Sequence, residues 1–176
     1  MEALLAPRQP QFVVAEHPAF HPGRCAQVVV DGKAVGFVGE LHPKWRQSYD
    51  LPLAPVLFEL DADVLVQRMV PAFTSVPKMQ SVYRDLALVV QDSTPHDALI
   101  AAITKAPSEG LVRGARLFDI YKPKTPVAGI ADNERSLAVR VELRDDEQTL
   151  TDERIEAAMK AVLASLGSSI GARVRA

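Results

Sequence analysis

The chain has 176 residues, enough for one large domain or two small ones that each bury a core. It is 48% hydrophobic and 24% charged, which excludes disordered and fibrous classes, and a net charge of −2 argues against gripping nucleic acid by bulk electrostatics. A lone cysteine, Cys25, excludes an internal disulfide or a multi-cysteine zinc site and suits a reducing, cytoplasmic setting as a free, partly buried thiol.

At the N-terminus, Glu2 stands where a signal peptide wants basic charge, and no apolar run approaches the roughly 20 residues needed to cross a bilayer. Residues 26–30 and 34–38 read as a hairpin around Asp31-Gly32, residue types suited to the positive φ angles of a tight primed turn. A short helix over 43–49 follows Leu41. Residues 56–60 read as a strand, and Asp61 or Asp63 caps a helix to about residue 70. These strands want cover on both faces, so residues 1–75 read as an α/β piece of a larger antiparallel sheet. Pro71, Pro77 and the polar stretch 74–81 place a boundary near residue 75.

From residue 76 the order is β-α-β-β-α-β. A strand at 82–90 leads to Ser93-Thr94-Pro95, where Thr94 is the expected N-cap, Pro95 the first helical residue and Asp97 the capping-box partner. Leu99, Ile103 and Ala106 form the stripe of that helix. Pro107 and Gly110 end it. A strand at 111–121, a connection holding two prolines and Gly129, and a strand at 136–143 follow. Thr151 then caps a helix whose Ile155, Met159, Val162 and Leu166 recur at helical spacing, with Gly167 as its expected stop and a last strand at 172–175. The expected fold class is α+β, with residues 76–176 forming a ferredoxin-like antiparallel sheet that carries two helices on one face.

Side-chain parity sorts these four strands into two faces. Leu86, Leu88, Val90, Phe118, Ile120, Leu137, Val139, Val141, Leu143 and Val174 fall on the helix side. The opposite face receives Ala87, Asp119, Tyr121, Ser136, Ala138, Arg140, Arg173 and Arg175. Small residues, a ring and several guanidiniums suit the stacking of bases and the neutralisation of phosphates, although a solvated sheet face gives the same parity. The closing GARVRA, with two arginines and no acid, is the kind of local patch an otherwise acidic chain needs.

Other constellations carry little. His17, His21 and His42 each precede a proline and read as turn formers rather than metal ligands. No glycine-rich phosphate loop or nucleophilic triad stands out. Asp145, Asp146 and Glu147 read as a solvated turn, and Arg24 as an exposed strand start, with a phosphate or interface contact as its alternative.

Tyr83-Arg84-Asp85-Leu86-Ala87-Leu88-Val89-Val90, Leu117-Phe118-Asp119-Ile120-Tyr121, Arg135-Ser136-Leu137-Ala138 and Gln148-Thr149-Leu150-Thr151-Asp152-Glu153 together resemble the C-terminal end of the bacterial phenylalanyl-tRNA synthetase β chain. Phe20-His21-Pro22-Gly23-Arg24 and Gly36-Phe37-Val38-Gly39-Glu40-Leu41-His42-Pro43 are similar to the part preceding it, the end of a class II synthetase-like core without ATP-binding motifs. The resemblance implies a fragment of a longer subunit: 1–75 from the catalytic-like core and 76–176 a ferredoxin-fold anticodon-binding domain. Its implied RNA contacts are Asp119, Tyr121, Ser136 and Arg175, with Ala87 a weaker match. It implies tRNA-Phe and an α subunit in an α2β2 assembly as partners, neither membrane nor DNA, and no catalysis by this chain alone. ATP and magnesium would serve the whole ligase elsewhere, leaving no cofactor or metal site here. The chain departs from the pattern at Asn133-Glu134-Arg135, where a Gly-Lys-Lys run is common, which puts a phosphate contact from that loop in doubt. The alternative function is a small-molecule regulatory or subunit-docking domain of the same topology.

Overall fold

The computed structural model describes residues 2–67, 70, 72–73, 76–123, 125 and 127–175. The chain divides into two units, Met1–Thr74 and Ser75–Ala176.

The first unit is an antiparallel meander. Helix α1 (Glu2–Leu5) precedes β1 (Gln11–Val14), β2 (Phe20–Val30), β3 (Lys33–Leu41), α2 (Pro43–Ser48), β4 (Val56–Leu60) and α3 (Ala62–Val66). Sheet order follows chain order. Asp31 and Gly32 take φ angles of 51° and 77°, the expected primed turn. Asp61 caps α3 by accepting the amide N–H of Asp63 at 3.0 Å, but α3 ends at Val66, and residues 68–69 of the longer expected helix lie outside the described residues. Leu5, Val28, Val30, Val35 and Val64 make a small core. Val14, Ala26, Val38 and Phe58 line up across all four strands; Val38 packs against that core, whereas Val14 is 88% and Phe58 51% exposed. Arg24 is not a strand start. It lies within β2 and its guanidinium donates to the Glu40 carboxylate at 2.6 Å.

The second unit contains β5 (Val82–Gln91), α4 (His96–Thr104), β6 (Val112–Tyr121), β7 (Glu134–Leu143), α5 (Asp152–Ile170) and β8 (Arg173–Val174). Its sheet runs β6-β7-β5-β8, antiparallel throughout. This is the split βαβ order, in which the second and fourth strands take the edges. Leu88, Val90, Leu137, Val139, Val141 and Leu143 bury against Leu99, Ile103, Ile155, Val162 and Leu166, each contributing roughly 1.5–3 kcal/mol. The Ser165 hydroxyl donates to the Ala102 carbonyl at 2.8 Å and ties α5 to α4.

Two helix ends differ from expectation. Thr94 does not cap α4. Pro95 holds the cap position with extended ψ, which moves Thr94 outside the helix, and the Thr94 carbonyl instead accepts from Arg135 at 2.7 Å. Helix α5 passes through Gly167 to Ile170. It stops at Gly171, whose φ of 63° allows the left-handed turn that satisfies the last carbonyls. Thr151 caps α5 as expected, accepting the Arg154 N–H at 3.4 Å.

The register of β6 slips twice, between Val112 and Gly114 and again between Leu117 and Asp119, and the second slip matters most. There Leu117 pairs with Val139, and Asp119 pairs with Ala138. Phe118 is the extra residue of a β-bulge, which flips parity along the strand. Phe118 is therefore not in the core: it is 52% exposed and its ring lies 5.6 Å from the Arg140 guanidinium, on the face away from the helices. Ile120, opposite Leu137, keeps the helix-side parity yet is 54% exposed on an edge strand.

Candidate nucleic-acid interface

With the bulge in place, the helix-free face resolves into ladders of opposed residues across β6, β7 and β5. Gly114, Glu142 and Tyr83 form one, and Arg116, Arg140 and Asp85 the next. Asp119, Ala138 and Ala87 form the third, with Arg175 beyond, its N–H bonded to the Ala87 carbonyl at 2.8 Å. Tyr121, Ser136, Val89 and Arg173 form the fourth.

The third and fourth ladders hold most of the expected RNA contacts. The two alanines make a low floor, and the long Arg175 side chain reaches over it to bring its guanidinium 5.2 Å from the Tyr121 ring. Tyr121 remains 42% exposed. A ring edged by a low floor and faced by a guanidinium can stack an unpaired base.

Three expected contacts have other duties. Arg140 donates through Nε and a terminal nitrogen to both oxygens of Asp85, at 2.7 and 2.8 Å, which fixes the guanidinium and lowers the Asp85 carboxyl from its ordinary range. Arg173 forks onto Glu134 at 2.5 and 2.7 Å and donates to the Gly129 carbonyl at 2.8 Å. Ser136 is only 5% exposed. Val89 beside it, Glu134 and Ile130 are buried as well, so this end of the face is closed. The connection between β6 and β7 is thus tied to the sheet through Glu134, which also accepts the Ala131 amide N–H at 2.9 Å. Asp145 and Asp146 likewise do more than make a solvated turn: Asp145 bonds Arg154 at 2.6 Å, and Asp146 bonds Arg113 and Arg144.

Glu134 has a pH signature. The Arg173 fork, aided by the Ala131 amide, lowers its carboxyl to about 2 from an ordinary 4.5. A carboxyl held below its unfolded value contributes stability that is complete above about pH 4.5 and lost as pH falls towards 2. Glu134→Gln should therefore give a flatter fall of Tm across that window than the parent chain. Parallel acid limbs in a thermal titration would refute the assignment.

Parity reasoning missed Phe118 and Arg116 on this face. A signal was present: the apolar positions of β6 pass from Ala115 and Leu117 to Ile120, an odd-to-even switch that one inserted residue produces. Among the described residues no group of three or more His, Cys, Asp or Glu could hold a metal ion, and no helix is long and apolar enough to cross a membrane. His17 packs its ring at 5.1 Å from Phe20 and 5.0 Å from Phe37.

The chain belongs to the ferredoxin-fold anticodon binding domain family, whose sequence model matches residues 77–175. Residues 1–62 match the phenylalanyl tRNA synthetase beta chain CLM domain. The chain is 46% identical over 180 residues to a phenylalanine–tRNA ligase beta subunit of Ralstonia nicotianae, covering 100% of this chain and 22% of that protein. It is 46% identical over 179 residues to the subunit of the same name from Burkholderia lata, and 47% identical over 175 residues to that of Chromobacterium violaceum, covering 99% of this chain and 22% of the relative in each case. The chain thus spans about a fifth of the length of the relatives it matches.

Proposed function

We propose that the helix-free face of the second unit binds the unpaired anticodon loop of tRNA-Phe, and so supports ATP-dependent phenylalanine–tRNA ligation by a larger enzyme. The observation that carries this reading is the half-exposed Tyr121 ring, faced by the Arg175 guanidinium and edged by the alanine floor of the neighbouring ladder, in a unit of anticodon-binding family. In this reading Asp119, Tyr121 and Arg175 meet the RNA directly, Ala87 and Ala138 give it room, and Arg140 and Arg173 hold the platform's two ends. Residues 1–75 act as the end of a non-catalytic core that docks within an α2β2 cytoplasmic assembly. The exposed Val14 and Phe58, at the two edges of the row they form with Ala26 and Val38, favour that docking role. ATP and magnesium act elsewhere in the enzyme.

The test is fluorescence anisotropy with the tRNA-Phe anticodon stem–loop, the same stem closed by a scrambled loop, and a fully paired duplex. The native loop should bind most tightly, with an affinity that falls as salt rises. The chain alone, given ATP, phenylalanine and tRNA, should form no Phe-tRNA. Equal affinity for loop and duplex would contradict the reading.

A further inference from the structure

Resting on that reading, we propose that the same face carries a second nucleotide subsite, built on Phe118 and Arg116 and framed by Tyr83 and Arg140, which takes another unpaired base of the same RNA strand.

The bulge turns the Phe118 ring onto the helix-free face, where it is half exposed and paired with the Arg140 guanidinium at 5.6 Å. Both Asp85 oxygens accept from that guanidinium, at 2.7 and 2.8 Å, and favour this position for it. Ring and guanidinium together make a prepositioned stacking surface of the kind bases accept without regard to sequence. Beside it lies a shallow depression of about 380 Å³ lined by Tyr83, Gly114, Arg116, Arg140 and Glu142. Gly114 leaves its floor open, with nothing within 4 Å of the place a Cβ would occupy.

Charge selects the orientation. Arg116 is exposed and, among the described residues, has no ion-pair partner, whereas the opposite rim carries the Glu142 carboxylate. A phosphate belongs at Arg116, and a base belongs over Phe118. Phe118 and Tyr121 are three residues apart on one strand, roughly 10 Å along it, with Asp119 between them. Two rings at that spacing take two separate bases rather than the two faces of one. The Asp119 carboxylate between them repels a phosphate and keeps the backbone towards the arginine edges.

The experiment pairs protein variants with abasic substitutions at each unpaired position of the anticodon stem–loop, read by anisotropy on the full chain. Phe118→Ala should weaken binding between about 5-fold and about 150-fold. It should also cancel the effect of an abasic site at one loop position, while Tyr121→Ala cancels the effect at a different one. Arg116→Ala, on the surface and independent of the ring, should lower the log–log salt slope by about 0.7, the signature of one lost single-strand phosphate contact. Wild-type affinity and an unchanged salt slope in Phe118→Ala and Arg116→Ala, with Tyr121→Ala still weakened, would overturn the second subsite and leave the anticodon reading standing. Loop-independent binding by the parent chain would overturn both.

Discussion

Leu166→Ala is expected to cost the second unit about 2–5 kcal/mol. Leu166 is fully buried on α5, packed into the core that joins both helices to the sheet, and its carbonyl accepts the Ala172 N–H at the helix stop. Truncation removes a buried side chain and leaves a cavity between elements that cannot fully collapse, because sheet register fixes one wall and Ser165 ties α5 to α4. Urea denaturation followed by circular dichroism gives the number. A loss below about 1 kcal/mol would mean that α5 does not seal the core.

Tyr121→Ala should do the opposite: little to stability, much to binding. Its ring is half exposed on an edge strand and faces away from the helices, so thermal unfolding should shift only slightly. Loss of the stacking partner should weaken the anticodon stem–loop by roughly 1–3 kcal/mol. Phe118→Ala should also leave stability within about 0.5 kcal/mol of the parent, the range of ordinary surface changes. That expectation reverses the one drawn from alternation alone, which put Phe118 in the core. Thermal melts and anisotropy on the two variants decide it, and a large stability loss in either would return that ring to the core.

The sequence carried the βαββαβ order because each signal was local. The Thr151 cap and the helical spacing from Ile155 to Leu166, like the Asp31-Gly32 turn in the first unit, depend on neighbours a few residues away, and local chemistry decided all three. Non-local choices were less legible. Gly167 looked like a helix stop, but Gly171 gives a better one, since the chain must turn there to bring Arg173 and Val174 alongside β5. Thr94 looked like a cap until the extended Pro95 displaced it.

The face itself was half legible. Alternation places Ala87, Ala138 and Arg140 correctly because β5 and β7 are regular central strands paired without slippage. It fails at Phe118 because one extra residue inverts every parity argument on one side of it. It also could not anticipate that Ser136 would be closed off or that Arg173 would be held by Glu134, since both depend on where the long connection after β6 settles.

The central claim, that RNA lies on the helix-free face of the second unit, is tested most directly by photo-crosslinking. The anticodon stem–loop carrying 4-thiouridine at each unpaired position in turn is irradiated with the full chain, and the attached residues are read by mass spectrometry. Crosslinks should fall in β6, at Phe118 and Tyr121 above all, and near Arg175, with none on α4 or α5. Crosslinks concentrated on α4 and α5, or confined to the first unit, would contradict it.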